Sequence, residues 1–154
     1  MTSRSKRHAR ARRRGQALLE FALALPIILL LLFGIFDLGR AVFAFTTITE
    51  AARIGGRIAI VDQNDALIQS SAADYAVALN IDPNTVIVQY LTSDLAGPCA
   101  SPTEIDCIAS VTVPYAWTPA TPVLSDLVGT IAMQSTTQLP IERSYTSPTP
   151  TATP

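Results

Sequence analysis

The chain has 154 residues, 49% of them hydrophobic and 15% charged, with a formal net charge of −1. This composition excludes a mostly disordered chain, and the length allows one domain of ordinary size. The one histidine, His8, rules against histidine-based catalysis and His-rich metal sites.

Charge is distributed unevenly along the chain. Arg4, Lys6, Arg7, Arg10, Arg12, Arg13 and Arg14 supply seven of the 11 basic groups, and no acidic residue accompanies them. The residues that follow carry 4 basic and 12 acidic groups, a side-chain balance of −8. A basic head on an acidic body points to nucleic acid or a membrane surface. The head has the charge to bind DNA but neither aromatic partners nor a binding fold, so no nucleic-acid partner is expected.

The next element decides for the membrane. Phe21 to Phe36 is a 16-residue run without a charge, and residues 16–36 contain Glu20 as their one charged group. A helix of this length spans about 30 Å, the thickness of a bilayer core. Positive residues stay cytoplasmic, which makes residues 1–15 a cytoplasmic leader and places residues 37–143 outside the cytoplasm. The expected location is the cell membrane, crossed once. Pro26 would break a hydrogen bond in a soluble helix but is tolerated in a membrane. A cleaved secretory signal fits poorly, because the nearest small-x-small site, Val42-Phe43-Ala44, lies beyond Asp37 and Arg40. The residues after Arg13-Arg14 fit a twin-arginine signal poorly too. A plain signal anchor explains the run but not Glu20. A carboxylate costs about 2.5–3.5 kcal/mol at the centre of a membrane helix, and such residues usually have a partner or a purpose.

Basic residues, Gly15, four residues, Glu20 and an apolar helix form the layout of a type IV prepilin leader. The string Arg14-Gly15-Gln16-Ala17-Leu18-Leu19-Glu20-Phe21 resembles a prepilin peptidase substrate cut between Gly15 and Gln16. The resemblance implies that Glu20 meets the N-terminal amine of a neighbouring subunit, two costly charges made tolerable by pairing. Gln16 stands where mature type IV pilins usually have Phe.

Further residues sharpen the likeness. Gly15-Gln16-Ala17-Leu18-Leu19-Glu20-Phe21 and Pro26 are followed by Asp37-Leu38-Gly39-Arg40 and by Ala51-Ala52-Arg53-Ile54-Gly55-Gly56-Arg57-Ile58-Ala59. The pattern resembles the TadE-like family, pseudopilins of the Tad (tight adherence) pilus and secretion system. Asp37, Gly39, Arg40, Arg53, Gly56 and Arg57 carry it. The chain departs at Gly56, where the family usually has Ala. The resemblance implies other pilin-like or Tad assembly subunits and a prepilin peptidase as partners.

Helical periodicity continues from Leu38 to about Val61, with Val42, Phe45, Ile48 or Thr49, Ala52 and Ala59 on one stripe and Thr46, Glu50, Arg53 and Arg57 on another. Asp37/Arg40 and Glu50/Arg53 stand at i,i+3, and their simplest role is solvation of one helix face. Ala52/Gly56 and Gly55/Ala59 are small-xxx-small pairs. They allow close packing either on the chain's own domain or between subunits.

Asp62-Gln63-Asn64-Asp65 breaks this helix and caps the next, expected over Ala66 to Leu79 with Leu67, Ile68, Ala72, Tyr75, Ala76 and Leu79 on its apolar face. Asn80 and Asp82-Pro83 end it. Thr85–Leu91, Ile108–Tyr115 and Gly129–Leu139 read as strands, with Pro114 marking the edge or end of the second. A loop and a short helical turn fill residues 117–128. Cys99 and Cys107 bracket a loop; outside the cytoplasm a disulfide is favoured over two free thiols. The spacing is not Cys-x-x-Cys and no further Cys exists, so neither a redox pair nor zinc is expected. Asp94, Glu104 and Asp106 read as a solvated loop. Residues 144–154 are rich in Pro and Thr and cannot form a core.

The expected fold is α+β: a long N-terminal transmembrane helix extending into a small pilin-like domain with a second short helix and a three- or four-stranded antiparallel sheet. No cofactor, metal or small-molecule substrate is expected, and no catalytic set or phosphate loop argues for an enzyme. The expected function is that of a membrane-anchored TadE-like pseudopilin in Tad pilus assembly. The alternative is an unprocessed single-pass envelope protein displaying a small binding domain.

Overall fold

The computed structural model describes residues 3–100 and 107–142. The Pro/Thr tail from Ser144 and the loop carboxylates Glu104 and Asp106 lie outside the described residues. The architecture is mixed α+β, as expected: among the described residues, one long helix, two short ones and a three-stranded antiparallel sheet.

Helix α1 runs from Ser3 to Ala59, 57 residues, and passes through Pro26 without interruption. Ala, Leu and Arg, all strong helix formers, are its commonest residues. The N-terminal part stands clear of the domain, and no residue of its most apolar window is buried in the protein. The C-terminal part carries the domain. Ala44, Ile48, Ala51, Ala52, Gly55, Gly56 and Ala59 are buried along it at steps of three and four.

This stripe corrects the periodicity reading at two positions. Val42 and Phe45, expected to face inward with Ile48 and Ala52, are 55% and 51% exposed. The domain packs on the face where small side chains let the sheet approach. The larger apolar residues point away from it.

Val61 and Asp62 amides close onto the Ile58 carbonyl at 3.0 and 2.8 Å, and α1 stops. Asn64 then caps α2, Asp65–Tyr75, by accepting from the Leu67 amide at 3.3 Å. The helix is shorter than expected: a 3-10 turn, Val77–Leu79, takes over, and Asn80 in the left-handed region (φ 50) stops it. Ile68, Ala72, Ala73 and Ala76 are buried, whereas Leu67 and Tyr75 are exposed. A second 3-10 turn, Pro83–Thr85, leads into the sheet.

Strands β1 (Ile87–Leu91), β2 (Ile108–Trp117) and β3 (Ile131–Pro140) pair in the order β1-β2-β3. Alternation divides the sheet into two faces. Cys107, Ala109, Val111 and Val113 turn inward with Val86 and Ile141 against α1 and α2. Ser110 is also buried, although it alternates with them. Thr112 and Thr136, directly paired, share a hydroxyl hydrogen bond of 2.8 Å on the other face. Pro114 does not end β2; the strand continues three residues to Trp117. Pairing with β1 reaches only as far as Thr112, so Pro114 sits where β2 has a single neighbour and one side needs no donor.

Helix α3, Pro122–Val128, connects β2 to β3. Gly129 caps it at φ 70, a conformation that costs a residue with a Cβ. Cys99 and Cys107 form a disulfide. It closes the β1–β2 connection, where the Cys99 amide also donates to the Tyr90 carbonyl at 2.9 Å.

Candidate functional site

The features that bear on function lie along α1 in order. Gln16 and Glu20 are exposed on the free part of the helix. Around them the apolar side chains face outward: Leu18 is 69% exposed and Ile27 70%. A helix so apolar and so uncovered is stable only where its surroundings are apolar too. Among the described residues there is one candidate membrane span, near the N-terminus.

At the end of the apolar stretch Asp37 is only 2% exposed. Its carboxylate accepts the backbone amides of Ala120 at 2.9 Å and Thr121 at 3.0 Å, joining the β2–α3 loop to α1. Arg40 stands 3.4 Å away, one turn on. Solvation of a helix face is thus the wrong account of Asp37; the residue is a clamp. Hydrogen bonding by the Thr121 side chain and the Ala120 amide holds its carboxyl below the ordinary value against the opposing effect of burial. No local signal in the sequence points to residues 120 and 121, because the contact spans the whole domain.

The far end of the domain is tied to α1 as well. The Glu142 amide donates to the Ile60 carbonyl at 3.1 Å, and Ile141 to Cys107 at 2.9 Å. Asp37 and Ile60 are 23 residues apart, about 35 Å along a helix. The domain is therefore tied to α1 at both ends.

Between these ties lie the small residues. A Cβ added at Gly55 would come within 2.9 Å of Val111 Cγ1, 3.4 Å of Ala72 and 3.6 Å of Ile68. One added at Gly56 would meet Thr137 Cγ2 at 2.9 Å and Leu139 at 3.3 Å. Of the two readings of the small-xxx-small pairs, packing on the chain's own domain is what these contacts use. Gly56 also acquires a local reason: β3 approaches so closely that a Cβ here would require Thr137 to shift.

The remaining motif residues face solvent. Arg53 pairs with Glu50 at 2.8 Å, the expected i,i+3 contact, with both side chains substantially exposed. Arg57 is exposed, and a Cβ at Gly39 would meet nothing within 4 Å. Asp94 accepts from the Thr92 hydroxyl and from the Ala96 amide at 3.1 Å, which lowers its pKa and organises a turn rather than a reaction centre. Among the described residues no group of three or more His, Cys, Asp or Glu could hold a metal ion.

Residues 15–57, the stretch from the start of the apolar helix through Asp37 to the Gly55-Gly56 contact, match the family model described as TadE-like protein. The match covers 43 of the 154 residues and is a likeness of this segment. The match covers the elements just described and stops short of the sheet. No curated protein and no solved structure matches the chain. The matched segment and the uncovered apolar helix lie on the same stretch of chain.

Proposed function

We propose that the protein is a non-catalytic pseudopilin that takes part in assembling a Tad-type pilus or secretion apparatus. Its basic leader stays in the cytoplasm, and the acidic body lies outside. A prepilin peptidase removes residues 1–15, leaving Gln16 as the new N-terminus with Glu20 four residues away. Removal takes all seven basic residues of the head with it, so the mature chain keeps 4 basic against 12 acidic groups. The Cys99–Cys107 disulfide supports a domain outside the reducing cytoplasm.

One observation carries the assembly reading beyond a plain anchor. The outward apolar face of α1 does not stop with the apolar stretch but continues through Leu38, Val42, Phe43 and Phe45, all at least half exposed. From Gln16 to Phe45 is 30 residues, about 45 Å of helix, against about 30 Å of bilayer core. The domain covers the opposite face. The surplus apolar surface is suited to the helix of another subunit, and Glu20 within the span is suited to that subunit's N-terminal amine.

The mass of the mature protein tests processing: a chain beginning at Gln16 supports the proposal, and an intact Met1 favours the unprocessed envelope protein. Glu20→Ala tests the pairing, with loss of assembly expected while insertion persists. Normal assembly of that variant would remove Glu20 from the mechanism.

A further inference from the structure

Helix α3 has no buried residue and presents apolar side chains to the outside. Val123, Leu127 and Val128 are 59%, 83% and 48% exposed. Val123 and Leu127 stand at i,i+4 and share a face. Contiguous apolar surface of this kind marks a contact site.

The position of α3 says what the contact is. Asp37 holds Ala120 and Thr121, which directly precede the helix. The same loop lines one side of a groove of about 650 Å³ whose other wall is Leu32, Phe33, Ile35 and Phe36, the last turn of the apolar stretch. Leu32 precedes Asp37 by five residues, about 7.5 Å of helix. Elements that rest in a membrane interface bury their apolar side about 5–10 Å into the headgroup–acyl boundary. The loop leading into α3 therefore reaches alongside the outermost lipid-facing turn of α1.

We propose that α3 is a second membrane contact, lying on the bilayer surface with Val123, Leu127 and Val128 among the lipids. The proposal rests on the membrane reading of residues 16–36. A lipid surface is chosen over a protein because the groove joins residues 120–122, the loop and the first residue of α3, to the lipid-facing wall of α1, and exposed Val123 follows directly. Within α3, Asp126 is the one charged side chain. Two contacts, one through α1 and one through α3, would fix both the depth and the tilt of the domain, and Asp37 is the clamp that sets the distance between them.

Three nitroxide labels on the full-length chain test this in phosphatidylcholine–phosphatidylglycerol vesicles: Leu30→Cys in the span, Leu127→Cys on α3 and Ser93→Cys in the turn at the far end of the sheet. The expected oxygen-to-nickel collision ratio is several-fold higher at positions 30 and 127 than at 93. If 127 resembles 93 while 30 stays lipid-facing, the membrane reading stands and the α3 contact is wrong. If 127 is shielded from both relaxants in a manner that depends on the protein-to-lipid ratio, a second protein covers it and the proposal also falls. If 30 is open to nickel, the span itself fails and takes the α3 contact with it. Leu127 makes too little contact for its replacement to threaten folding.

Discussion

The Asp37 carboxylate accepts the amide of Thr121, 84 residues further along the chain, at 3.0 Å. The bond joins the point where α1 leaves its apolar stretch to the loop after β2, with the Ala120 amide as a second donor at 2.9 Å. Asp37→Ala leaves two partly buried amides without an acceptor, a defect whose cost exceeds the net worth of the bonds removed. The expected result is a Tm lowered by several degrees in detergent. Asp37→Asn keeps one acceptor oxygen and should fall between the wild type and Asp37→Ala. Equal Tm values for all three would mean that the clamp contributes nothing.

The same clamp makes stability depend on pH. The folded pKa of Asp37 is depressed, the Thr121 side chain and the Ala120 amide being the main causes. A depressed carboxylate stabilises the fold above its unfolded pKa, about 3.9 for Asp. That contribution is lost as the pH falls through the folded value. Between about pH 6 and about pH 3 the wild type should therefore lose more Tm than Asp37→Asn. Parallel losses in the two proteins would count against the assignment.

Gly55 tests how closely α1 meets the sheet. Alanine in a helix interior is normally favoured over glycine by about 0.5–1 kcal/mol. Here its Cβ would stand 2.9 Å from Val111 Cγ1, within a core that also holds Ala72 and Ile68. Overpacking of this kind costs about 1–3 kcal/mol, so Gly55→Ala should be net destabilising in urea unfolding. In a Val111→Ala background the same substitution should cost less. A cycle with no coupling between the two positions would contradict the close approach.

The two apolar faces of α1 should respond in opposite ways. Ile48 is fully buried, and Ile48→Ala should cost about 2–5 kcal/mol of stability. Phe43 and Phe45 are 56% and 51% exposed, so Phe43→Ser with Phe45→Ser should leave Tm nearly unchanged. That double variant should instead reduce cross-linking between subunits in membranes. A large loss of Tm with normal cross-linking would reverse the assignment of the two faces.

The disulfide should carry part of the stability of a small domain. Cys99 and Cys107 are eight positions apart. In the chain-entropy model, closing a loop of this size contributes about 2.5 kcal/mol. Unfolding free energies from urea titration of the oxidised and the reduced protein should differ by that amount, Cys99→Ser/Cys107→Ser should match the reduced protein, and reductant should not affect the double variant.

Much of the architecture was legible because it is written in local pattern. The uncharged run marked a long apolar helix, the stretch Asp62-Gln63-Asn64-Asp65 marked the start of α2, with Asn64 the residue that caps it, and β-branched segments marked all three strands to within a few residues. The i,i+3 pairs Asp37/Arg40 and Glu50/Arg53 both form, because helix geometry alone brings them together. Which side of α1 meets the domain was not legible beyond Ile48, Ala52 and Ala59. Val42 and Phe45 fit the apolar period as well as Ala44 does, and hydropathy does not say whether an apolar face is owed to a core, a lipid or another subunit.

The sequence by itself determined the asymmetry of this protein: a basic head, an apolar helix with one carboxylate, an acidic body, and the TadE-like order of small and charged residues. Those are properties of neighbours along the chain, where charge, hydropathy and helical spacing act directly. Only the tertiary structure decided that Asp37 clamps Thr121, that Gly55 and Gly56 serve the chain's own sheet, and that α3 stands beside the last turn of the apolar helix. Each depends on segments far apart in sequence that meet only when the core has formed, and no local propensity carries that information.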